Sequence, residues 1–419
     1  MNKYFYFALF FAISIFGFYN NTFAQSSLAQ NEQIVIGKTD NIFSEILNQD
    51  RKIWVHVPPQ NGFADTRPNY PVLYLLDGDA HFLNVVSILN QLGRGKIPEM
   101  IIVAILSVDR MNEMTPSHID ESRGDGNWVK TSGGGEKFTQ FLEKELIPFI
   151  DKKYPTKPYR TFVGHSLGGL LVVNTLINHP DLFDNYISID PSLWWNNQRL
   201  LKQAKTVLEK EKFSNKSLYV AVANTMKGVS EDLNIGNVEK DTTEMTEHIR
   251  SILQFAKVAV ANPQSELNFY SKYYPEENHG TVPFLSTYYG LQSIFHWYEI
   301  ENVAALNNPE MSVEASIDFI NNHFEKLSRH FGFKEIPEES FLNMIGYQFL
   351  NNQPEKAFAF FDMNIKYYPK SANVYDSMGD YYVAQSDIKN AIQFFTKAYE
   401  INQDDYTKNK LDQLTKKKK

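Results

Sequence analysis

Short, wholly apolar runs alternate with helix-like segments from about Gln33 to Tyr298, and this alternation constrains the fold more than any other feature. The runs PVLYLL, from Pro71, and MIIVAIL, from Met100, are typical of central strands that are covered on both faces. The segment KFTQFLEKELIPFIDKKY, from Lys137, carries its apolar residues at helical spacing. We therefore predict an α/β fold with a mostly parallel sheet and helices on both faces.

The strand-like runs stop after about Glu301, and a helical pattern continues to the end of the chain. Part of this pattern repeats, because Ala357 and Phe361 correspond to Ala391 and Phe395, in both cases 34 residues further on. The spacing resembles the tetratricopeptide repeat, in which small residues let two antiparallel helices approach and aromatic residues fill the gap. We predict a small all-α domain of such repeats, with a protein partner as a candidate ligand.

The N-terminal segment has the features of a secretory signal peptide. Lys3 precedes an apolar stretch, Tyr4 to Phe18, and small residues lie just before Gln25. A retained membrane anchor is the alternative, but the stretch is short for a membrane span. A secreted or periplasmic protein is therefore predicted. The predicted organisation is a signal peptide at 1–24, an α/β domain at 25–300, a linking helix at 301–336 and helical repeats at 337–413.

The composition excludes several classes of protein. Hydrophobic residues make up 43% of the chain, which is enough for a sizeable core. The formal net charge of −8 argues against a nucleic-acid partner. There is no cysteine, so disulfide bonds and a lipid-anchored cysteine are excluded. No clustered spacing of metal-ligating residues occurs, so we expect no metal and no organic cofactor.

The stretch YRTFVGHSLGGLL, from Tyr159, places a serine between a predicted strand and a predicted helix. A nucleophile elbow requires this context, because the chain turns sharply there and Gly164 and Gly168 keep side chains out of the turn. The hydroxyl of Ser166 would then be exposed above the sheet. We predict that Ser166 is a catalytic nucleophile, and a serine in a tight structural turn is the alternative.

A serine nucleophile needs a base that can accept its proton. On this type of fold the base follows both the nucleophile and the acid in chain order. Four histidines lie between the predicted elbow and the tail, and three of them, His179, His248 and His296, fall within or at the end of predicted helices. His279 lies in the loop PEENHGTVP directly after the last predicted strand, so we predict that His279 is the base.

The acid that orients the base is less narrowly defined. It is expected after the predicted strand SLYVAVAN, in the segment TMKGVSEDLNIGNVEKDTTE. Glu231 is the first choice, and the next candidates are Asp241, Asp232 and Asp190, the last at the end of the YISID strand. An enzyme with a serine and a histidine but no acid is a further alternative.

Two backbone N–H groups are candidates for stabilising the oxyanion that forms in acyl transfer. One belongs to Leu167, the residue after the predicted nucleophile. The other belongs to Asp79 in the segment DGDAHF, where Gly78 lets the backbone approach a substrate. An ordinary turn at residues 77–78 is the alternative.

Six segments in order along the chain resemble the putative-esterase family of α/β-hydrolases: YLLDGDAHF, LSVDRMNEMTP, SGGGEKFTQFLEKELIPFID, YRTFVGHSLGGL, IDPSLWWNN and ENHGTVP. This family includes esterase D-like enzymes, feruloyl esterases, mycolyl transferases and the enterobactin-type siderophore esterases. The resemblance covers most of residues 33–298. It implies that Ser166 and His279 are nucleophile and base, and that Asp79 and Leu167 supply the oxyanion N–H groups.

The segment IDPSLWWNN is most similar to the siderophore-esterase branch of that family, in which SPSLWW is the usual form. Asp190 therefore stands where that branch carries a serine. Two interpretations of Trp194 and Trp195 remain open. They either line a pocket for an aromatic acyl or catechol group, or they pack as core residues beside the sheet.

These features predict a serine esterase that hydrolyses a carboxylic ester through an acyl-enzyme intermediate. The substrate is expected to be a small-molecule ester, with a siderophore-type or aromatic ester as the candidate. The alternative hypothesis is a non-catalytic protein that binds a partner through its helical repeats.

Overall fold

The computed structural model describes residues 34–59, 68–119 and 129–416. Contacts within the chain define two units, Met1–Val35 and Ile36–Lys419. The second unit contains all the strands and helices given below. The predicted signal peptide, residues 1–24, lies outside the described residues.

Within the described residues, a single sheet of eight strands forms the centre of the fold. The strands are β1 (Lys38–Ser44), β2 (Gln49–His56), β3 (Tyr70–Leu75), β4 (Ile101–Ile105), β5 (Thr156–His165), β6 (Asn185–Ile189), β7 (Ser217–Ala223) and β8 (Asn268–Tyr274). They lie in the order β1-β2-β4-β3-β5-β6-β7-β8. β2 pairs antiparallel with both β1 and β4, whereas every pair from β4 through β8 is parallel. The mostly parallel sheet predicted from the sequence is thus confirmed.

Strand β1 is not predicted from the sequence, and the reason lies in the composition of the strand. Its sequence, KTDNIFS, has few apolar residues, and only two of its seven residues are buried. β1 lies at the edge of the sheet and pairs with β2 alone. An edge strand with one covered face needs less apolar surface than a central strand, so its pattern is weak.

Nine helices surround the sheet or lead away from it among the described residues. They are α1 (Gly78–Leu92), α2 (Arg110–Met114), α3 (Gly135–Phe141), α4 (Ile147–Lys153), α5 (Leu167–Asn178), α6 (Trp195–Lys210), α7 (Glu247–Ala261), α8 (Val282–Ile294) and α9 (Val313–Phe331). A π-helical turn, Leu142–Leu146, joins α3 to α4. Short 3₁₀ turns occur at Val238–Lys240, Glu244–Thr246, Pro263–Ser265 and Val303–Asn307.

The central strands bury side chains on both faces of the sheet. Val72 and Tyr74 of β3 belong to one apolar core, together with residues of α3 to α7. Leu73 and Leu75 of the same strand belong to a second core, together with residues of α1 and α8. Because successive side chains of a strand point to opposite faces, wholly apolar strands require helices on both sides.

Helix α9 connects the sheet region to the tail. It begins after Ser312, whose hydroxyl accepts a hydrogen bond from the N–H of Ala315 (3.1 Å), and it ends at Gly332, which has a φ of 77°. Near its C-terminal end, Phe331 packs in the second core of the sheet region. Earlier in the helix, Ile320 packs in a third core with the tail helices. One helix therefore contributes to both cores.

The tail consists of α10 (Glu339–Phe349), α11 (Pro354–Tyr367), α12 (Ala372–Ala384), α13 (Ile388–Ile401) and α14 (Asp405–Lys416). The two segments that resemble each other in sequence form the pairs α10–α11 and α12–α13. A Cβ on Gly346 would lie 2.4 Å from the Phe361 ring, and a Cβ on Gly379 would lie 2.6 Å from the Phe395 ring. The two pairs thus share the same close contact. No described helix is both long and apolar enough to span a membrane.

Candidate active site

Ser166 lies in the sharp turn between β5 and α5. Its φ is 60° and its ψ is −115°, a conformation that costs a residue with a Cβ on the order of 1–3 kcal/mol. Gly164 permits this turn, because a Cβ there would lie 2.5 Å from the backbone of Gly168. The N–H of Ser166 donates to the carbonyl of Ile189 (2.9 Å), and its carbonyl accepts from the N–H of Leu170 (2.9 Å). The backbone therefore has the form that a nucleophile elbow requires.

His279 lies in the loop between β8 and α8, where the sequence analysis expects the base. Its Nε2 is 3.0 Å from the Oγ of Ser166, and its Nδ1 is 2.6 Å from the Oδ2 of Asp190. The loop is held by the side chain of Asn278, whose Oδ1 accepts from the N–H of Gly280 (2.9 Å). A neutral imidazole that carries its proton on Nδ1 can donate to Asp190 and accept from Ser166.

The carboxylate beside His279 belongs to Asp190, which corrects the first choice, Glu231. Asp190 follows β6 directly, has a φ of 43° and has no exposed surface. Its Oδ1 accepts a hydrogen bond from the N–H of Ala223 (2.9 Å). Glu231, in contrast, is an exposed residue of the loop after β7.

The other two candidates for the acid also lie elsewhere. Asp232 is exposed, and its N–H donates to the hydroxyl of Ser230 (3.3 Å). The carboxylate of Asp241 accepts hydrogen bonds from the hydroxyls of Thr243 (2.6 Å) and Thr246 (2.5 Å). Asp241 therefore shapes the turn that precedes α7.

The order of the strands explains why Asp190 is the last candidate for the acid from the sequence. Chain order predicts the acid after β7, two strands away from the elbow. β5 and β6 are parallel neighbours, and His165 pairs with Ile189 at their C-terminal ends. The residue after β6 therefore lies beside the residue after β5. The available signal was the aspartate in IDPSLWWNN, at the position where the related branch carries a serine.

Charge at the site is concentrated on Asp190. Burial raises the pKa of this carboxyl, but hydrogen bonds from His248 and His279 outweigh burial and hold the pKa well below its usual range. His165 lies next to His279, with ring centroids 4.5 Å apart. Burial, together with the neighbouring His279 and His81, lowers the pKa of His165 to about 3. At neutral pH, His165 is thus uncharged, and Asp190 is a carboxylate that can stabilise a protonated His279.

The two predicted oxyanion residues both lie in the first turn of a helix. Leu167 is the first residue of α5, and Asp79 is the second residue of α1. N–H groups in a first turn have no acceptor within their own helix, so they are available to an anion. Gly78 allows α1 to begin here, because a Cβ would lie 2.9 Å from the backbone of Ala104.

An ion pair connects the loop before α1 to the elbow. Asp77 has a φ of 51°, and its carboxylate accepts from Arg110 Nε (2.7 Å) and Nη2 (2.9 Å). Arg110 Nη2 also donates to the carbonyl of His165 (3.1 Å). The turn at residues 77–78 is therefore attached to the end of β5, one residue before the serine.

A cleft of about 290 Å³ opens above the serine, lined by Ser166, Ser192, Trp194, Thr225, His248 and His279. The two tryptophans of the SLWW segment differ in their surroundings. Trp194 is partly exposed and lines the cleft. Trp195 is buried, and its Nε1 donates to the carbonyl of Ser117 (2.9 Å). The pocket interpretation thus fits Trp194, and the core interpretation fits Trp195.

His248 also belongs to the site, although the sequence predicts only that it lies in a helix. Its Nε2 is 2.9 Å from the Oδ2 of Asp190, the atom that also bonds to His279. Among the described residues, Asp190, His248 and His279 form a group that could hold a metal ion, with ligand atoms within 4.8 Å of one another. Hydrogen bonding between these groups accounts for the same arrangement, so the geometry does not require a metal.

Comparison with known proteins connects this site to an enzyme family. The family model described as "Putative esterase" matches residues 44–297. The chain is 34% identical over 170 residues to the ferri-bacillibactin esterase BesA of Bacillus subtilis, covering 37% of this chain and 58% of that protein. It is 31% identical over 150 residues to the siderophore enterobactin esterase of Emericella nidulans, covering 32% of this chain and 50% of that protein. The matches thus span little more than half the length of these curated relatives.

Solved structures extend the likeness of fold. The IroE-like serine hydrolase from Shewanella oneidensis is 27% identical, with a TM-score of 0.65, and the match covers 79% of this chain and 99% of that one. A protein from Capnocytophaga ochracea is 18% identical, with a TM-score of 0.56, and covers 90% of this chain and 99% of that one. The second likeness concerns the fold alone.

Proposed function

Because the chain belongs to the putative-esterase family, we propose that it is a serine hydrolase that cleaves a carboxylic ester through an acyl-enzyme intermediate. One observation carries the proposal above all others. Ser166, His279 and Asp190 form a continuous line of hydrogen bonds, with distances of 3.0 Å and 2.6 Å. Ser166 lies on a strained turn, and both Ser166 and His279 line the cleft. This is the arrangement of a nucleophile, a base and an orienting acid.

The geometry defines the steps of the reaction. Ser166 Oγ attacks the ester carbonyl while His279 Nε2 takes the hydroxyl proton. Asp190 keeps the Nδ1 proton of His279 in place and stabilises the imidazolium that forms. The imidazolium then protonates the departing alcohol, which leaves Ser166 acylated. A water molecule, deprotonated by His279, attacks the acyl-enzyme. The bond between Ser166 Oγ and the acyl carbon then breaks, the imidazolium returns its proton to Ser166 Oγ, and the acid is released.

The tetrahedral intermediates of acylation and of deacylation each carry a negatively charged oxygen, which needs hydrogen-bond donors. We assign this role to the N–H groups of Leu167 and Asp79. Both lie in the first turn of a helix, Leu167 in α5 and Asp79 in α1. The Asp77–Arg110 ion pair attaches the start of α1 to the end of β5. Fixed donors of this kind contribute about 10²–10³-fold in rate for each group.

Siderophore-type or aromatic esters are the substrate class that we propose. The curated relatives reported above are esterases of siderophores by their names. In this chain, the partly exposed indole of Trp194 lines the cleft beside Ser166, and a flat aromatic acyl group could pack against it.

Two measurements test the activity and then the substrate class. The protein should hydrolyse a chromogenic short-chain ester, and a serine-directed phosphonate should add to Ser166 when the labelled peptide is mapped by mass spectrometry. Ser192 is an internal control for this map, because its Oγ lies 3.3 Å from that of Ser166 but it has no described bond to His279. Absence of both turnover and labelling would refute the proposal.

The substrate class is tested with a panel of siderophore, aryl and alkyl esters, with products identified by mass spectrometry. We expect the aryl and siderophore esters to have the higher kcat/KM. Replacing Trp194 by alanine should reduce that preference and spare alkyl esters. Equal loss for all classes would argue against a role of the indole in substrate choice.

The helical tail is proposed to consist of two tetratricopeptide-type repeats that bind a protein partner. In support, the two helix pairs match in sequence and share the contact between a glycine and a phenylalanine ring, at Gly346 with Phe361 and Gly379 with Phe395. Paired helices of this kind commonly present a concave surface to a partner. Affinity capture with the tail and with a tail carrying surface substitutions would test this role.

Export is a separate proposal, because residues 1–24 lie outside the described part of the chain. The positive residue, the apolar stretch and the small residues before Gln25 support a cleaved signal peptide and a secreted or periplasmic enzyme. Protein from a secreting host should begin at or near Gln25 by N-terminal mass analysis. A chain in the membrane fraction that still begins at Met1 would indicate a retained anchor.

A further inference from the structure

Two imidazole rings share one carboxylate oxygen at the centre of the site. Asp190 Oδ2 lies 2.6 Å from Nδ1 of His279 and 2.9 Å from Nε2 of His248. A triad needs only the first of these bonds, because the acid holds the base through a single ring nitrogen. The second bond therefore requires its own explanation.

His248 is held in a fixed position relative to the other two groups. It is the second residue of α7, and its side chain is 19% exposed. Its ring is nearly perpendicular to that of His279, with an interplanar angle of 88° and centroids 5.1 Å apart. Of the two rings, His279 is the one with a described bond to Ser166. The histidines thus differ in role, although they bond to the same oxygen.

We propose that His248 is a positioning residue of the esterase reaction proposed above. By donating from Nε2 to Asp190 Oδ2, it holds the carboxylate in the position that accepts the Nδ1 proton of His279.

Burial explains why the carboxylate needs this donor. Asp190 has no exposed surface, so water cannot solvate its charge, and a buried charge is costly unless donors surround it. The N–H of Ala223 satisfies Oδ1, and the two imidazoles satisfy Oδ2. Without His248, His279 would be the one described donor to Oδ2.

The same bond affects the orientation of the base. A carboxylate that His248 holds is a fixed acceptor for Nδ1 of His279, and this keeps Nε2 directed at Ser166 Oγ. Removing the His248 donor should therefore lower kcat and leave KM unchanged.

The other titratable groups around the site are compatible with this assignment. On the β5 side, the ring of His165 contacts that of His279, and His165 is neutral because burial lowers its pKa to about 3. His81 of α1 lies behind His165, and burial lowers its pKa as well. Asp241, in the turn before α7, accepts a hydrogen bond from the hydroxyl of Thr246, and Arg250 of α7 donates to the same hydroxyl.

The experiment compares two variants at position 248 in the full chain. His248→Gln places an amide nitrogen near the position of Nε2 and keeps a donor that does not titrate. His248→Leu removes the donor while retaining bulk. The hydrogen-bonded Nδ1 proton of His279 is followed by NMR, and kcat and KM are measured with a chromogenic ester. His296→Gln, at an exposed site outside the cleft, is the matched control.

We expect His248→Leu to shift and broaden the NMR signal of the Nδ1 proton of His279, because the carboxylate that accepts this proton has lost its second donor. The kcat of this variant should fall by about tenfold, because the orienting carboxylate is less well held. His248→Gln should restore most of both quantities, and His296→Gln should match the wild type.

Three results would overturn the inference. An unchanged Nδ1 signal of His279 in a folded His248→Leu protein would show that the two rings are not coupled through Asp190. A higher KM with an unchanged kcat would place His248 in substrate binding instead. Failure of His248→Gln to restore the wild-type signal and kcat would rule out the donor as the cause. The NMR signal does not depend on turnover, so a failure of the proposed esterase activity would be recognised separately.

Discussion

Backbone strain is distributed very unequally between the sheet region and the helical tail. Among the described residues, ten non-glycine residues with positive φ precede α9, and one, Ser386, follows it. Three of the ten, Asp77, Ser166 and Asp190, belong to the proposed active site or support it. Such conformations persist only where the surrounding structure over-determines them. The sheet provides this constraint, because its strands are fixed on both faces, whereas the tail is built from regular helices.

The two regions also use glycine differently. At the elbow, a Cβ on Gly164 would meet the backbone of Gly168 at 2.5 Å, and backbone atoms in a tight turn cannot move away. In the tail, the Cβ of an alanine at 346 or 379 would meet a phenylalanine ring. A side-chain ring can move to make room, at a cost to packing. The sheet region should therefore tolerate such changes less than the tail.

The largest effect is expected at the strained serine. Ser166→Ala should reduce ester hydrolysis by about 10⁶-fold, because the nucleophile is lost while the donors and the cleft remain. Initial rates on a chromogenic ester and phosphonate labelling measure this effect, and circular dichroism serves as the control for folding. Labelling at another serine of the variant would contradict the assignment.

A smaller loss is expected when the acid is altered. Asp190→Asn should lower kcat by about 10²–10⁴-fold, since an amide cannot stabilise the protonated base and favours the wrong tautomer of His279. Glu231→Gln is the matched control, because Glu231 is exposed in the loop after β7, and its rate should remain near that of the wild type. A large loss in the control with little loss in the aspartate variant would return the role to Glu231.

The tail should respond in stability and not in turnover. Gly379→Ala should lower the free energy of unfolding of the tail by about 1–3 kcal/mol, because the new methyl overlaps the buried Phe395 ring. Gln393→Ala, on the exposed face of α13, is the control. In open space, glycine to alanine in a helix would stabilise by about 1 kcal/mol. A gain in stability, measured by urea denaturation, would therefore show that the overlap is absent.

Removal of the tail should have the smallest effect on chemistry. A chain that ends at Pro337 keeps Phe331 in the second core and the ion pair between Lys157 and Glu335 (2.6 Å). Turnover of a small ester should therefore stay within about twofold of the full-length value, a change of less than 0.5 kcal/mol. Ile320 would lose the residues of the tail helices that pack against it in the third core, so solubility should fall.

Bulky esters extend the same comparison. If the tail selects large substrates, the truncated enzyme should differ from the full-length enzyme on a bulky ester and agree on a small one. Equal turnover of both esters would remove substrate selection and leave partner binding as the proposed role. Loss of small-ester turnover in a folded truncated protein would show that the tail is part of the catalytic unit.

Local patterns in the sequence were sufficient for most of the secondary structure. Wholly apolar runs identified β3 and β4, and helical spacing identified the segment that forms α3 and α4. Such patterns are informative because each element faces one kind of environment along its length. Two features were not predicted. β1 is an edge strand with a weak pattern, and residues Asn196 to Gln198 adopt left-handed backbone conformations at the start of α6.

At the site, the sequence by itself determined the two residues that follow from local context, Ser166 and His279. A serine between a strand and a helix, with glycines on both sides, predicts an elbow, and a histidine directly after the last strand predicts a base. Both lie in the structure where these local rules place them, 3.0 Å apart between Oγ and Nε2.

The tertiary structure alone decided the acid, the second histidine and the tryptophan that lines the cleft. Asp190 lies beside the elbow because β6 is the neighbour of β5, and the loop after β8 brings His279 to both. Strand order is not a local property of the chain. His248 comes from a helix 58 residues further on, and it contacts Asp190 through the packing of α7 on the sheet. Trp194 and Trp195 are adjacent in sequence, yet one lines the cleft and the other is buried. Hydrogen bonds and burial act over a few ångströms in space, so they depend on which distant segments the fold brings together.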